Sequence, residues 1–74
     1  MAHACDVSLG GIKLLSPHKF ERGSILRIKT GSDAAEQTFL AEVRYATPMP
    51  DGNWVMGCAF AKELSEKELL AWLA

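Results

Sequence analysis

The sequence predicts an all-β domain of about five antiparallel strands followed by one C-terminal α-helix, built as a small barrel or sandwich with a helical lid. Three observations lead there. Glycine, proline and polar residues cut the 74 residues into short segments at hairpin spacing. Two of those segments alternate with the period of two that half-buried strands require. Near the C-terminus the apolar residues change to helical spacing.

The first strand is expected from about His3 to Leu9, turning through Gly10 and Gly11 into IKLLS, which Pro17 closes. After PHKFERG, the segment SILRIKT puts Leu26, Ile28 and Thr30 on one face and Ile25, Arg27 and Lys29 on the other. GSDAAE reads as a connection rich in turn formers. QTFLAEVRYAT then sets Phe39, Ala41, Val43 and Tyr45 against Leu40, Glu42 and Arg44, the clearest alternation in the chain. PMPDGN holds an Asp-Gly turn signal, and WVMGCAFA follows with Trp54, Met56, Cys58 and Phe60 on one side and Gly57 on the other. Ser65 and Glu68 form a capping box, with Leu64 placed to staple onto Leu69. Leu69, Trp72 and Leu73 give the short helix an apolar stripe that needs the sheet to cover it.

Composition narrows the function. Hydrophobic residues at 49% and charged residues at 23% suit one folded domain spanning residues 1–74, with a modest core. A formal net charge of −1 argues against nucleic acid as partner, and no run of exposed aromatics among basic residues supports it. No apolar run is long enough to span a membrane, and the N-terminus lacks the order of a secretory signal, so a cytoplasmic protein is expected. Cys5 and Cys58 have no metal-ligand spacing. His3 and His18 lack an acid or nucleophile at motif spacing, so no catalytic residue, metal or cofactor is expected.

The stretch DVSLGG is the most informative. Asp6 and Ser8 lie two apart and project from one face of a strand end. A carboxylate there can accept from a guanine edge, whose N–H and amino group sit side by side, while the hydroxyl donates or accepts beside it. Gly10 and Gly11 allow positive φ angles and close approach of a planar base. The same residues also suit a plain turn in which Asp and Ser bond their own backbone.

Asp6-x-Ser8-x-x-Gly11 resembles the (D/N)xSxxG motif of the PilZ domain family. Gly23 before its strand, Val43-Arg44-Tyr45, and Gly57 to Phe60 (GCAF) resemble further family features in the same order, from about Cys5 to Leu73. The resemblance implies a small β-barrel with a C-terminal helix that acts, without catalysis, as a bacterial receptor for cyclic di-GMP. It assigns guanine binding to Asp6, Ser8 and Gly11. The family's RxxxR motif and first strand have no counterpart in this sequence, because His18, Arg22 and Arg27 all follow the glycine turn. Weak or deficient binding is therefore expected, along with an open sheet edge that invites a homo-oligomer. The alternative is a ligand-independent module that binds a signalling protein through that edge.

Overall fold

A computed structural model of the chain describes residues 3–30 and 37–73. The elements run β1 (His3–Val7), β2 (Gly11–Ser16), β3 (Ile25–Thr30), β4 (Gln37–Pro48), β5 (Trp54–Phe60) and α1 (Glu66–Leu73). All five strands belong to one antiparallel sheet in the order β1, β2, β5, β4, β3. The chain thus adopts the small antiparallel β fold with a short terminal helix that its patterning predicts. The GSDAAE connection, residues 31–36, and the side chains of Trp72 and Leu73 lie outside the described residues.

One face of the sheet makes the core. Ile12 and Leu14 of β2, Ala41 and Val43 of β4, and Met56, Cys58 and Phe60 of β5 are buried together, with Leu64 completing the cluster. These are alternate residues on each strand, as the pleat demands. Leu26 and Ile28 of β3 pack against the cluster, while Ile25, Arg27 and Lys29 face water. Phe39 and Phe60 meet at a ring-centroid distance of 6.0 Å and an angle of 57°, within the range of favourable tilted pairs. Burial pushes the Cys58 thiol above its usual range, and Cys5, by contrast, is exposed.

The turns follow their residues. Gly23 and Gly52 have φ of 92° and 90°, a region that side-chain-bearing residues rarely adopt. In the turn carrying Gly52, Asp51 Oδ1 accepts from the Asn53 N–H at 2.9 Å. That bond, reinforced by the Asn53 side chain, holds the Asp51 carboxyl below its ordinary range. Lys19 Nζ sits 5.3 Å from the centre of the ring of Trp54, which is half-buried at the start of β5.

The capping box forms as its sequence predicts: Ser65 Oγ accepts from the Glu68 N–H at 3.1 Å, and Glu68 Oε1 accepts from the Ser65 N–H at 2.9 Å. The bond from the Ser65 N–H holds the Glu68 carboxyl below its ordinary range. Leu64 is buried and Leu69 packs on the same cluster, which ties the first turn of α1 to the sheet. Ser65→Ala should cost about 1 kcal/mol, because it removes one cap partner and leaves a helix N–H without its acceptor. Chemical denaturation measures this, and an unchanged midpoint would refute the cap's contribution.

The structure corrects the prediction for Tyr45. Strict alternation puts Tyr45 with Phe39, Ala41 and Val43 on the core face, but the β4–β5 register shifts between Val43 and Tyr45. Arg44 is the additional residue of a β-bulge. Val43 pairs with Cys58 and Tyr45 with Gly57, so everything beyond the bulge changes face. Ala46 packs against the core in its stead, and Tyr45 is left 45% exposed on the opposite side. The bulge sits where β4 also bonds the segment leading into β3: Gly23 N–H donates to the Val43 carbonyl at 2.8 Å, and Val43 N–H to the Ser24 carbonyl at 2.9 Å.

Candidate functional site

The β1–β2 hairpin is closed by the Ser8 N–H donating to the Gly11 carbonyl at 2.9 Å. Leu9 and Gly10 form its tip. Their carbonyls accept from Leu64 N–H at 2.7 Å and Phe60 N–H at 2.9 Å, so the tip is fastened to the end of β5 and to the lead-in of α1. Neither Gly10 nor Gly11 has a positive φ, contrary to the expectation for this turn. Gly11 is required for a different reason. A Cβ built there would run into the carbonyl oxygen of Cys58, because β2 and β5 approach closely at this point. Around Gly10 there is open space.

The exposed Asp6 and Ser8 and the half-buried Gly11 all line a hollow of about 260 Å³. Among the described residues Asp6 has no hydrogen-bond or ion-pair partner. Ser8 Oγ makes a single long contact to the Gly11 carbonyl, 3.4 Å, at the outer limit of a hydrogen bond. The Asp6 carboxylate is therefore not taken up by its own main chain, whereas the one bond of the Ser8 hydroxyl goes to its own turn, as a plain turn also would have it. The three predicted site residues come together at one hollow.

The rest of the hollow is built by register. Asp6 lies opposite Lys13, Lys13 opposite Gly57, and Gly57 opposite Tyr45, which makes one lateral row across β1, β2, β5 and β4 on the face away from the core. A bulge sits at each end. The β1–β2 register shifts between Ala4 and Asp6, and the β4–β5 register between Val43 and Tyr45. Such bulges re-aim side chains, and here they set Asp6 at one end of the row and Arg44 with Tyr45 at the other. Gly57 is the saddle between them. The Tyr45 ring lies directly over it, so closely that a Cβ on Gly57 would overlap the ring carbons.

Gly57→Ala should therefore leave the fold intact and open the site. The atoms in the way belong to the far end of a half-exposed side chain, which can swing off. Losing the ring contact costs about 0.5–1.5 kcal/mol, while alanine in a strand recovers about 0.5–1 kcal/mol relative to glycine. The expected result is a melting midpoint close to that of the native chain, with nuclear Overhauser contacts between the Tyr45 ring and residue 57 lost. Persistence of those contacts would contradict the geometry.

Reading the sequence alone misses Lys13, Arg44, Tyr45 and Gly57 as lining residues. Only Lys13 had an accessible signal: it lies on the outward face of β2, two residues past Gly11. Arg44 and Tyr45 reach the site through the bulge, for which the residues QTFLAEVRYAT give no warning.

No curated protein and no solved structure gives a significant match to the chain. Among protein-family models, that of the PilZ domain matches residues 1–74.

Proposed function

Because the chain belongs to the PilZ domain family, we propose that it is a non-enzymatic signalling module whose hollow takes one guanine of cyclic di-GMP, with Asp6, Ser8 and Gly11 as the binding residues. The observation that carries this reading is the Asp6 carboxylate, without a partner among the described residues, at the edge of a hollow that Ser8 also lines. A guanine edge supplies two adjacent donors to a carboxylate, and an adenine edge does not. Ser8 then completes the polar rim, and Gly11 lets the base approach the backbone of the hairpin.

For these 74 residues by themselves, affinity is expected to be low. Hydrogen bonds to charged groups are worth roughly 1.5–3 kcal/mol each, and the family's arginine pair ahead of the first strand is not among these 74 residues. Loss of two or more such bonds corresponds to at least about a hundredfold in affinity. The hairpin tip offers a route by which occupancy reaches a protein partner in the bacterial cytosol. Leu9 and Gly10 bond directly to Leu64 and Phe60, so displacement of the tip bears on the position of α1.

The test is calorimetric titration of cyclic di-GMP into the 74-residue chain and its Asp6→Ala variant, with cyclic di-AMP as the comparison ligand. Binding of cyclic di-GMP alone, weakened at least about tenfold by Asp6→Ala, is the expected result. Absence of heat with cyclic di-GMP removes the proposal. Equal affinity of the two chains removes the role of Asp6.

The ligand-independent reading has its own structural basis in the two outer strands, β1 and β3. These are short, at 5 and 6 residues, and β1 is bulged, while β3 turns Arg27 and Lys29 to water. Short, bulged or charged edges resist strand addition. That favours the hollow over the edges as the working surface.

A further inference from the structure

We propose that Lys13 and Arg44 are the phosphate-binding residues of this hollow, gripping a cyclic dinucleotide from opposite sides of the Gly57 saddle. The inference rests on the guanine-binding reading above and adds to it the anionic half of the ligand. It starts from charge. The chain as a whole is slightly acidic, and two cations, Lys13 and Arg44, line the hollow with a single carboxylate, Asp6. A second carboxylate, Glu42, balances Arg44 from 3.8 Å, so the spot becomes locally positive when Arg44 exchanges Glu42 for an incoming anion. Field from like charges facing one concavity adds, and it attracts an anion even when the net charge of the molecule does not.

Geometry separates the roles. Lys13 stands directly between Asp6 and Gly57 in the lateral row, and Arg44 lies beyond Gly57 on the next strand. Strands about 4.8 Å apart place the backbones carrying Lys13 and Arg44 roughly 10 Å from each other, with one strand between them. At the crossing point of that strand stands Gly57, and the Tyr45 ring fills the space over it, so a ligand reaching from Lys13 to Arg44 passes across that ring. A planar base held at Asp6 and Ser8 extends its sugar and phosphate along the row toward Lys13, and the Tyr45 ring gives it a flat apolar wall over Gly57. The opposite phosphate then falls on the Arg44 side.

Both cations are available for this. Among the described residues Lys13 has no ion-pair partner. Arg44 has a contact to Glu42 at 3.8 Å, with both side chains about half exposed. Such a pair contributes little and is readily exchanged for a phosphate, to which a guanidinium can donate two parallel hydrogen bonds. Asp6 faces Lys13 across the strand pair, so the lysine also offsets the repulsion between that carboxylate and the dinucleotide's own charge.

The experiment is titration of cyclic di-GMP, across a series of salt concentrations, into the full 74-residue chain and the variants Lys13→Gln, Arg44→Gln, Lys13→Arg, Arg44→Lys and Asp6→Ala. Circular dichroism melting of each variant verifies its fold. Each glutamine variant is expected to lose about tenfold in affinity at low salt. Their combination should flatten the dependence of affinity on salt, and the charge-conserving variants should stay within about threefold of the native chain. If Asp6→Ala weakens binding but the glutamine variants retain native affinity and salt dependence, the phosphate role falls and the guanine reading stands. If the native chain does not bind cyclic di-GMP, both fall together.

Discussion

Met56→Ala is expected to cause the largest loss of stability of any single substitution considered for this chain. Met56 has no exposed surface and sits in the middle of β5, with Leu14 of β2 on one side and Ala46 of β4 on the other. Truncating a buried methionine to alanine costs about 2–5 kcal/mol, because the lost burial adds to the cavity left behind. A domain of this size has roughly 4–11 kcal/mol in total at the usual stability per residue. The substitution thus removes a large share of it. At about 4–8 °C per kcal/mol for a small domain, the melting midpoint should fall by at least about 8 °C. Met56→Leu, which keeps nearly the same volume, should cost less than about 1.5 kcal/mol. Thermal unfolding followed by circular dichroism separates the two, and a fall of under about 4 °C for the alanine variant would show that the centre of β5 is not the keystone of this core.

The second large effect is expected at Gly11, and its neighbour supplies the control. A side chain on Gly11 meets the carbonyl oxygen of Cys58, with the Cα of Ala59 at 3.6 Å from the same Cβ. Both are main-chain atoms of the central strand, so neither can rotate away. Relief requires β2 and β5 to part at the point where the hairpin is tied down. Gly11→Ala should cost about 1–3 kcal/mol, as overpacking does elsewhere. It should also disturb the hollow, because Gly11 is one of its walls. Gly10→Ala meets nothing within 4 Å and needs no left-handed backbone, so it should change stability by less than about 0.5 kcal/mol. Two adjacent glycines that look alike in the sequence are thus expected to differ by several degrees in melting midpoint. Equal effects would mean that the close approach of β2 and β5 has been wrongly located.

The contrast with Gly57 sharpens this. There too a Cβ has no room, but the obstacle is the end of the Tyr45 side chain rather than main chain. The stability cost is small and the structural cost falls on the site. Gly11 therefore serves mainly the fold, and Gly57 mainly the hollow.

Much of the architecture was legible in local chemistry. The outward residues Ile25, Arg27 and Lys29, the Asp51-Gly52 turn and the Ser65–Glu68 cap each follow from residue type and spacing over a few positions. Each is decided by forces that act between near neighbours in the chain: alternation across a pleat, an aspartate bonding the backbone two residues on, a serine satisfying a helix N–H. That Asp6, Ser8 and Gly11 lie together was legible for the same reason, since they share one hairpin.

Local patterning accounts for the order of five strands and a helix, the apolar faces of β2, β3, β5 and the first half of β4, and the placement of Asp6, Ser8 and Gly11 in one hairpin. Strand pairing alone brings Lys13, Arg44, Tyr45 and Gly57 to the same hollow. A bulge is a disagreement in length between two paired strands, so it belongs to the pairing of β4 with β5 and cannot be read from QTFLAEVRYAT alone. That one inserted residue, Arg44, carried Tyr45 from the core side to the outer face, set its ring on Gly57, and brought a guanidinium within the same hollow as Asp6.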